Sequence, residues 1–235
     1  MRDLTKLAVI RIYQRKEGKS MNNLFNLDNP VMQFLSRIFD LVVLNVIFLI
    51  FCIPVVTIGA SLSGLYYVSL KLVRGEEPYI WRNFFKGFRQ NFRQGTVIWI
   101  LLAAAAVLLR MDFQIINALD TGVFAVVRVL LWVISGVLFC VFLYIFPVIS
   151  HFVCSTKQAF KNAFLMIIGF LPYTAAMLAV CGVILALCMV SAKTFALVIA
   201  VSGLCGYSVI AFIFCIFFDR IFCRYEPKED AKQED

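Results

Sequence analysis

At 235 residues, 62% hydrophobic and only 15% charged, the chain departs from the roughly 45–50% apolar and about 25% charged make-up of soluble domains. Its 24 Phe and mean hydropathy of +0.90 leave too little polar surface to cover a water-soluble fold, which excludes a soluble enzyme as the leading class. The net charge of +8 does not point to nucleic acid either, because Lys and Arg fall between apolar runs, where anionic lipid headgroups are their natural partners.

Met1 to Ser20 carries Arg2, Lys6, Arg11, Arg15, Lys16 and Lys19 and reads as a basic N-terminal extension. Met21 is an equally good start. No cleavable signal follows, and the first apolar run reads as an uncleaved anchor. A hydrocarbon core about 30 Å thick takes roughly 20 apolar residues of helix. Runs at 36–56, 96–111, 123–149, 162–190 and 195–218 qualify, and 58–73 is marginal. Lys and Arg collect in cytoplasmic loops. Seven precede or open the first run, and Lys71, Arg74, Arg82, Lys86, Arg89 and Arg93 follow 58–73, so both segments belong on the cytoplasmic side. That requires 58–73 to cross, in a tight hairpin through Pro54 to Gly59. Loop 112–122 (Asp112, Asp120) then lies outside, 151–161 (Lys157, Lys161) inside, and both termini cytoplasmic. The expectation is an all-α polytopic bundle of six spans within one membrane domain, 21–225. A disordered charged tail, 226–235, follows it.

Segment 80–94 (IWRNFFKGFRQNFRQ) carries the most information. At 100° per residue Trp81, Phe84, Phe85, Phe88 and Phe92 share one face, with Arg82, Lys86, Arg89 and Arg93 on a stripe beside it. This is the build of an amphipathic helix lying at the cytoplasmic surface, its rings against lipid tails or the bundle and its cations held by anionic lipid, or of a surface that docks another membrane protein. A shorter echo, Lys157–Asn162 (KQAFKN), matches Arg89–Gln94 (RQNFRQ), each leading into a span as a parallel internal repeat would. Small residues recur at helical spacing in 175–186 (Ala175, Ala179, Gly182, Ala186), at Ser202 and Gly206, and at Ala60 and Gly64, which predicts close helix packing, within the chain or across a dimer interface.

Chemistry is sparse. His151 is the lone histidine, the eight cysteines lie within or at the ends of apolar runs without metal-binding spacing, and no glycine-rich nucleotide fingerprint occurs. No cofactor or metal is expected, and no enzymatic activity. Asp40, Asn45 and Arg128 are the polar residues that fall inside spans and form the candidate intramembrane polar site.

With these residues in view, the chain resembles the YesL family of bacterial membrane proteins. The carrying stretches are MNNLFNLDNPVMQFLSRIFDLVVLN, PVVTIGASLSGLYYVSLKLVRGEEPYIWRNFFKGFRQNFRQ and, more weakly, FPVISHFVCSTKQAFKNAFLMIIGFLPYT. The chain departs from the family at Ser150-His151-Phe152-Val153. The resemblance implies a small multi-pass protein of the bacterial plasma membrane, of a domain-of-unknown-function type associated with carbohydrate uptake. It supplies no catalytic residues. Two functions therefore stand side by side: an accessory component of a sugar-uptake system acting through membrane protein contacts, or a small stand-alone transporter of a solute or ion.

Overall fold

The computed structural model describes residues 30–76, 79–119 and 124–225. The basic extension 1–20, Met21, Asp120 and the tail 226–235 lie outside the described residues. Two compact units are present, Met1–Val42 and Val43–Asp235. The first is represented by helical residues 30–42, and the second holds all the packing described below.

Every described element is helical. Helix α1, Pro30–Cys52, opens on a proline, whose missing N–H would have no intrahelical acceptor at that position. It stops before Pro54, which cannot donate to a further turn. Carbonyls left without donors at a helix end need partners, above all in lipid. Here Thr57 Oγ1 (2.6 Å) and Ser61 Oγ (2.9 Å) both donate to the Phe51 carbonyl. A single 3₁₀ turn, Val55–Thr57, leads into α2, Ile58–Val73. That helix ends on Gly75 at φ +74°, with Gly75 N–H on Leu72 O (3.2 Å) and Glu76 N–H on Lys71 O (3.1 Å). This paired closure needs the left-handed conformation that glycine adopts without strain.

Helix α3 runs unbroken from Ile80 to Leu119, 40 residues or about 60 Å. The expectation of a separate surface helix 80–94 followed by a span 96–111 is corrected here: the two are one helix. Nothing between them stops it, since Gly95 only lowers helix propensity and does not remove a backbone donor. Its charge-free stretch, Gln94–Leu109, is the part that suits hydrocarbon.

Helix α4 spans Phe124–His151 and α5 spans Thr156–Gly169, the latter opened by a capping box between Ser155 and Gln158. The expected span 162–190 is likewise two elements, because α6, Leu171–Val190, begins anew after Phe170 (φ −127°, ψ 46°). Pro172 is the cause: it lacks the N–H that would continue α5 and fits only within a helix's first turn. The last expected span, 195–218, is longer than read. It comprises α7, Ala192–Val201, a π-helical turn Ser202–Gly206, and α8, Tyr207–Tyr225. The echo 157–162 opens α5, whereas 89–94 lies inside α3, so the two motifs hold unlike positions.

Six helical segments are long and apolar enough to cross a membrane, and the chain is a multi-pass helical membrane protein. Leu101, Val107, Leu108, Val133, Leu185 and Leu197 are exposed, as side chains bathed in lipid would be. The interior is aromatic. Tyr144, Phe146, Phe214, Phe218 and Phe222 are fully buried, and the Tyr144 and Phe218 rings meet edge to face at 5.1 Å. Tyr144 also shares a 2.7 Å hydrogen bond with Thr174.

The small-residue stripes divide. Ala60 and Gly64 are buried as expected, and so is Gly206. By contrast Ala175, Ala179, Gly182 and Ala186 are all exposed, and a Cβ on Gly182 would meet nothing within 4 Å. That stripe does not pack within the chain.

Candidate functional site

The basic aromatic segment forms the first three to four turns of α3, and α2 supplies the surface against which it packs. Glycines bring the two backbones together. A Cβ on Gly59 would overlap the Gly95 carbonyl, one on Gly64 would stand 3.1 Å from Phe84, and one on Gly87 would stand 2.7 Å from the Tyr67 Cβ. Close backbone approach through small residues is how helices associate where the hydrophobic effect is absent.

Packing sorts the five rings. Phe84 is fully buried, Phe85 and Phe88 are half-buried, and Trp81 (59%) and Phe92 (43%) stay exposed at the rim. Phe51, from the end of α1, inserts its ring against Phe84 (5.6 Å), Phe85 (5.1 Å) and Phe88 (5.1 Å). Such pairs contribute about 0.5–1.5 kcal/mol each beyond burial. Sequence reasoning missed Phe51, because nothing in an apolar run singles out the one ring that a distant helix will receive. The aromatic face thus packs on the protein rather than on lipid alone.

The cations beside the rings face outward. Arg82, Lys86, Arg89 and Arg93, spaced four, three and four residues apart, are all exposed. Neither of the two ion pairs among the described residues, Lys71–Glu76 (2.8 Å) and Arg74–Asp219 (2.9 Å), involves them. Below the stripe, Gln94 Nε2 donates to the Cys154 carbonyl (3.1 Å) in the short break between α4 and α5. Burial pushes the Cys154 thiol up from its ordinary range.

Asn45 and Arg128, two of the candidate polar residues, have separate surroundings. Asn45 is fully buried, and its side chain is consumed by the π turn. Nδ2 donates to the carbonyls of Ser202 (3.1 Å) and Gly203 (2.8 Å), while Oδ1 accepts from the Ser208 N–H (3.2 Å). A π turn releases backbone groups from the regular ladder, and Asn45 satisfies them. Arg128, in the first turns of α4, is half-buried with an Nε that has no hydrogen-bond partner. No hydrogen bond or ion pair joins Asn45 to Arg128. Asp40 belongs to the first unit and is half-exposed there.

One cavity was not legible in the sequence. Between α3 and α4 a cleft of about 700 Å³ is lined by Ala103, Ala106, Arg110, Ser135 and Phe139 among others. Ring pairs Trp99–Phe142 (6.3 Å) and Phe113–Trp132 (5.3 Å) flank it. Among the described residues no three His, Cys, Asp or Glu side chains are placed to hold a metal ion. His151 stacks flat on Phe222 at 4.6 Å.

Residues 41–113, from the middle of α1 through most of α3, match the family model described as "Protein of unknown function, DUF624". The chain is 26% identical over 166 residues to the "Uncharacterized protein YesL" of Bacillus subtilis (strain 168), covering 69% of this chain and 77% of that protein. The chain is YesL-like. Residues 41–113 hold both the glycine contacts and the basic aromatic segment, so the candidate site lies within the region that the family model matches. No solved structure matches.

Proposed function

We propose that this YesL-like chain is a non-enzymatic accessory protein of a carbohydrate-uptake system, and that it holds a partner membrane protein through the exposed face of α3. The observation that carries this reading is the division of labour within 80–94. Three of its rings pack against Phe51 and α2, while Arg82, Lys86, Arg89 and Arg93 are left outward with Trp81 and Phe92 at the rim. A face with rigid aromatic edges and unspent cations suits a partner of acidic surface. Association with sugar uptake is supported by the family resemblance. Anionic headgroups serve the same cations when no partner is bound.

The test places a photo-crosslinking residue at Trp81 or Phe92 in native membranes, beside the variant with Arg82, Lys86, Arg89 and Arg93 all replaced by Gln. Crosslinks to a membrane component of a sugar-uptake system, reduced at least tenfold in the Gln variant at equal membrane level, support the proposal. Crosslinks to lipid alone, or protein crosslinks that survive the four substitutions, defeat it.

A further inference from the structure

We propose that the cleft between α3 and α4 seats one acyl chain of an anionic phospholipid, whose phosphate is held by Arg110. The site belongs to the half of the bilayer away from the basic segment 80–94, so it is separate from the docking face proposed above.

Two ring pairs give the register of the walls. Trp99 meets Phe142 and Phe113 meets Trp132, so α3 and α4 run antiparallel, and all four rings line the cleft. Between the pairs stand Ala103 and Ala106 on α3, which bring nothing larger than a methyl group into the space. Ala106, Phe139 and Trp132 are exposed, and the cleft opens sideways. Val107, Leu108 and Val133 beside it are exposed as lipid-facing side chains are. Apolar recesses stay dry and take apolar occupants. In a bilayer the occupant at hand is an acyl chain.

Charge and length make this seat selective. Among the described residues, Arg110 is the one charged side chain of the wall, and no acidic residue joins it there. Arg110 is exposed and takes part in neither ion pair among the described residues. Asp112 lies about 200° around the helix from it, on another face. Eleven residues separate Arg110 from Trp99, a rise of about 16 Å, against about 15 Å for half of a hydrocarbon core. Trp99 also stands within a turn of the middle of the charge-free stretch Gln94–Leu109. A chain that starts at Arg110 and ends at the Trp99–Phe142 pair therefore crosses one leaflet. Arg128 adds a second cation at the same end, one turn before Trp132, and its Nε has no hydrogen-bond partner. A guanidinium can bind phosphate through two parallel N–H bonds. Two cations without an acidic neighbour on the wall suit a headgroup of net negative charge over a zwitterion.

The test uses the full-length chain in phosphatidylcholine nanodiscs that contain a trace of photoactivatable lipid. The probe is phosphatidylglycerol with a diazirine on one acyl chain, or phosphatidylcholine with the same chain, and labelled residues are mapped by mass spectrometry. The phosphatidylglycerol probe is expected to label 99–113 and 132–142 about fivefold more than the phosphatidylcholine probe, as one cation at an anionic headgroup gives. Around Leu185 and Leu197, on α6 and α7, the two probes should label equally. Arg110→Gln is expected to abolish the preference at an unchanged unfolding midpoint, and Arg110→Lys to keep most of it. Ala106→Phe, which fills the cleft and leaves its charges in place, should lower cleft labelling by either probe. Equal labelling of the cleft by the two probes in the unaltered chain overturns the proposal, and so does a preference that survives Arg110→Gln. Cleft walls that neither probe labels, as a partner helix seated there would leave them, overturn it equally.

Discussion

Asn45 shows how a polar residue inside a span acquires a structural task. Its amide meets two carbonyls and one N–H of the π turn and its flank, at 2.8–3.2 Å, and so gives those three backbone groups partners in an apolar setting. Asn45→Ala is expected to lower stability by about 1–2 kcal/mol, the upper part of the range for interhelical hydrogen bonds in membranes. Thermal unfolding in detergent measures this. An unchanged midpoint would mean that water or lipid already serves those carbonyls. Gly59 is limiting in another way. Gly59→Leu must displace the Gly95 carbonyl and Trp99, and such overpacking costs about 1–3 kcal/mol. The expected result is a lower midpoint with loss of the α2–α3 contact, read as a weaker crosslink between cysteines at Gly64 and Phe84.

Among the elements, α3 is where pattern and fold diverge. The one-sided rings of 80–94 and the apolar run of 96–111 read as two objects because their environments differ. A helix ends only where capping, proline or tertiary contact ends it, and Gln94–Thr96 offers none of these. Thr96→Pro tells one helix from two. At the first position of a new helix proline is tolerated, but inside a continuous one it costs about 3 kcal/mol. Marked destabilisation is expected, and a neutral outcome would restore the break. The converse error fell at Phe170, where Pro172 was visible in the sequence but an unbroken apolar run concealed the helix end.

For the molecule in its bilayer, the outward cations of α3 predict a lipid dependence. Each Lys or Arg near an anionic surface is worth about 1 kcal/mol. Transfer from zwitterionic to anionic nanodiscs should therefore raise the unfolding midpoint, and the variant with Gln at Arg82, Lys86, Arg89 and Arg93 should lose most of that rise. Equal midpoints in both lipids would remove lipid from the account of this face. The cleft between α3 and α4 depends on the fold in the same sense. Ala103 and Ala106 are unremarkable in a run of apolar residues, and only the fold shows them lining a cleft of about 700 Å³ flanked by the ring pairs at Trp99 and Phe113.

Local physics accounts for everything that could be read along the chain alone. The all-helical membrane class, the apolar runs and the separation of rings from cations along 80–94 depend on hydrocarbon thickness and a 3.6-residue period, both readable in one dimension. Tertiary packing settled which of those features find partners. Phe51 inserts among the rings of α3, Asn45 is taken by the π turn rather than by Arg128, the small stripe of α6 is left bare, and glycines bring α2 and α3 into backbone contact. Each of these outcomes rests on a contact between residues far apart in the chain, and hydropathy averages along the chain carry no information about such contacts.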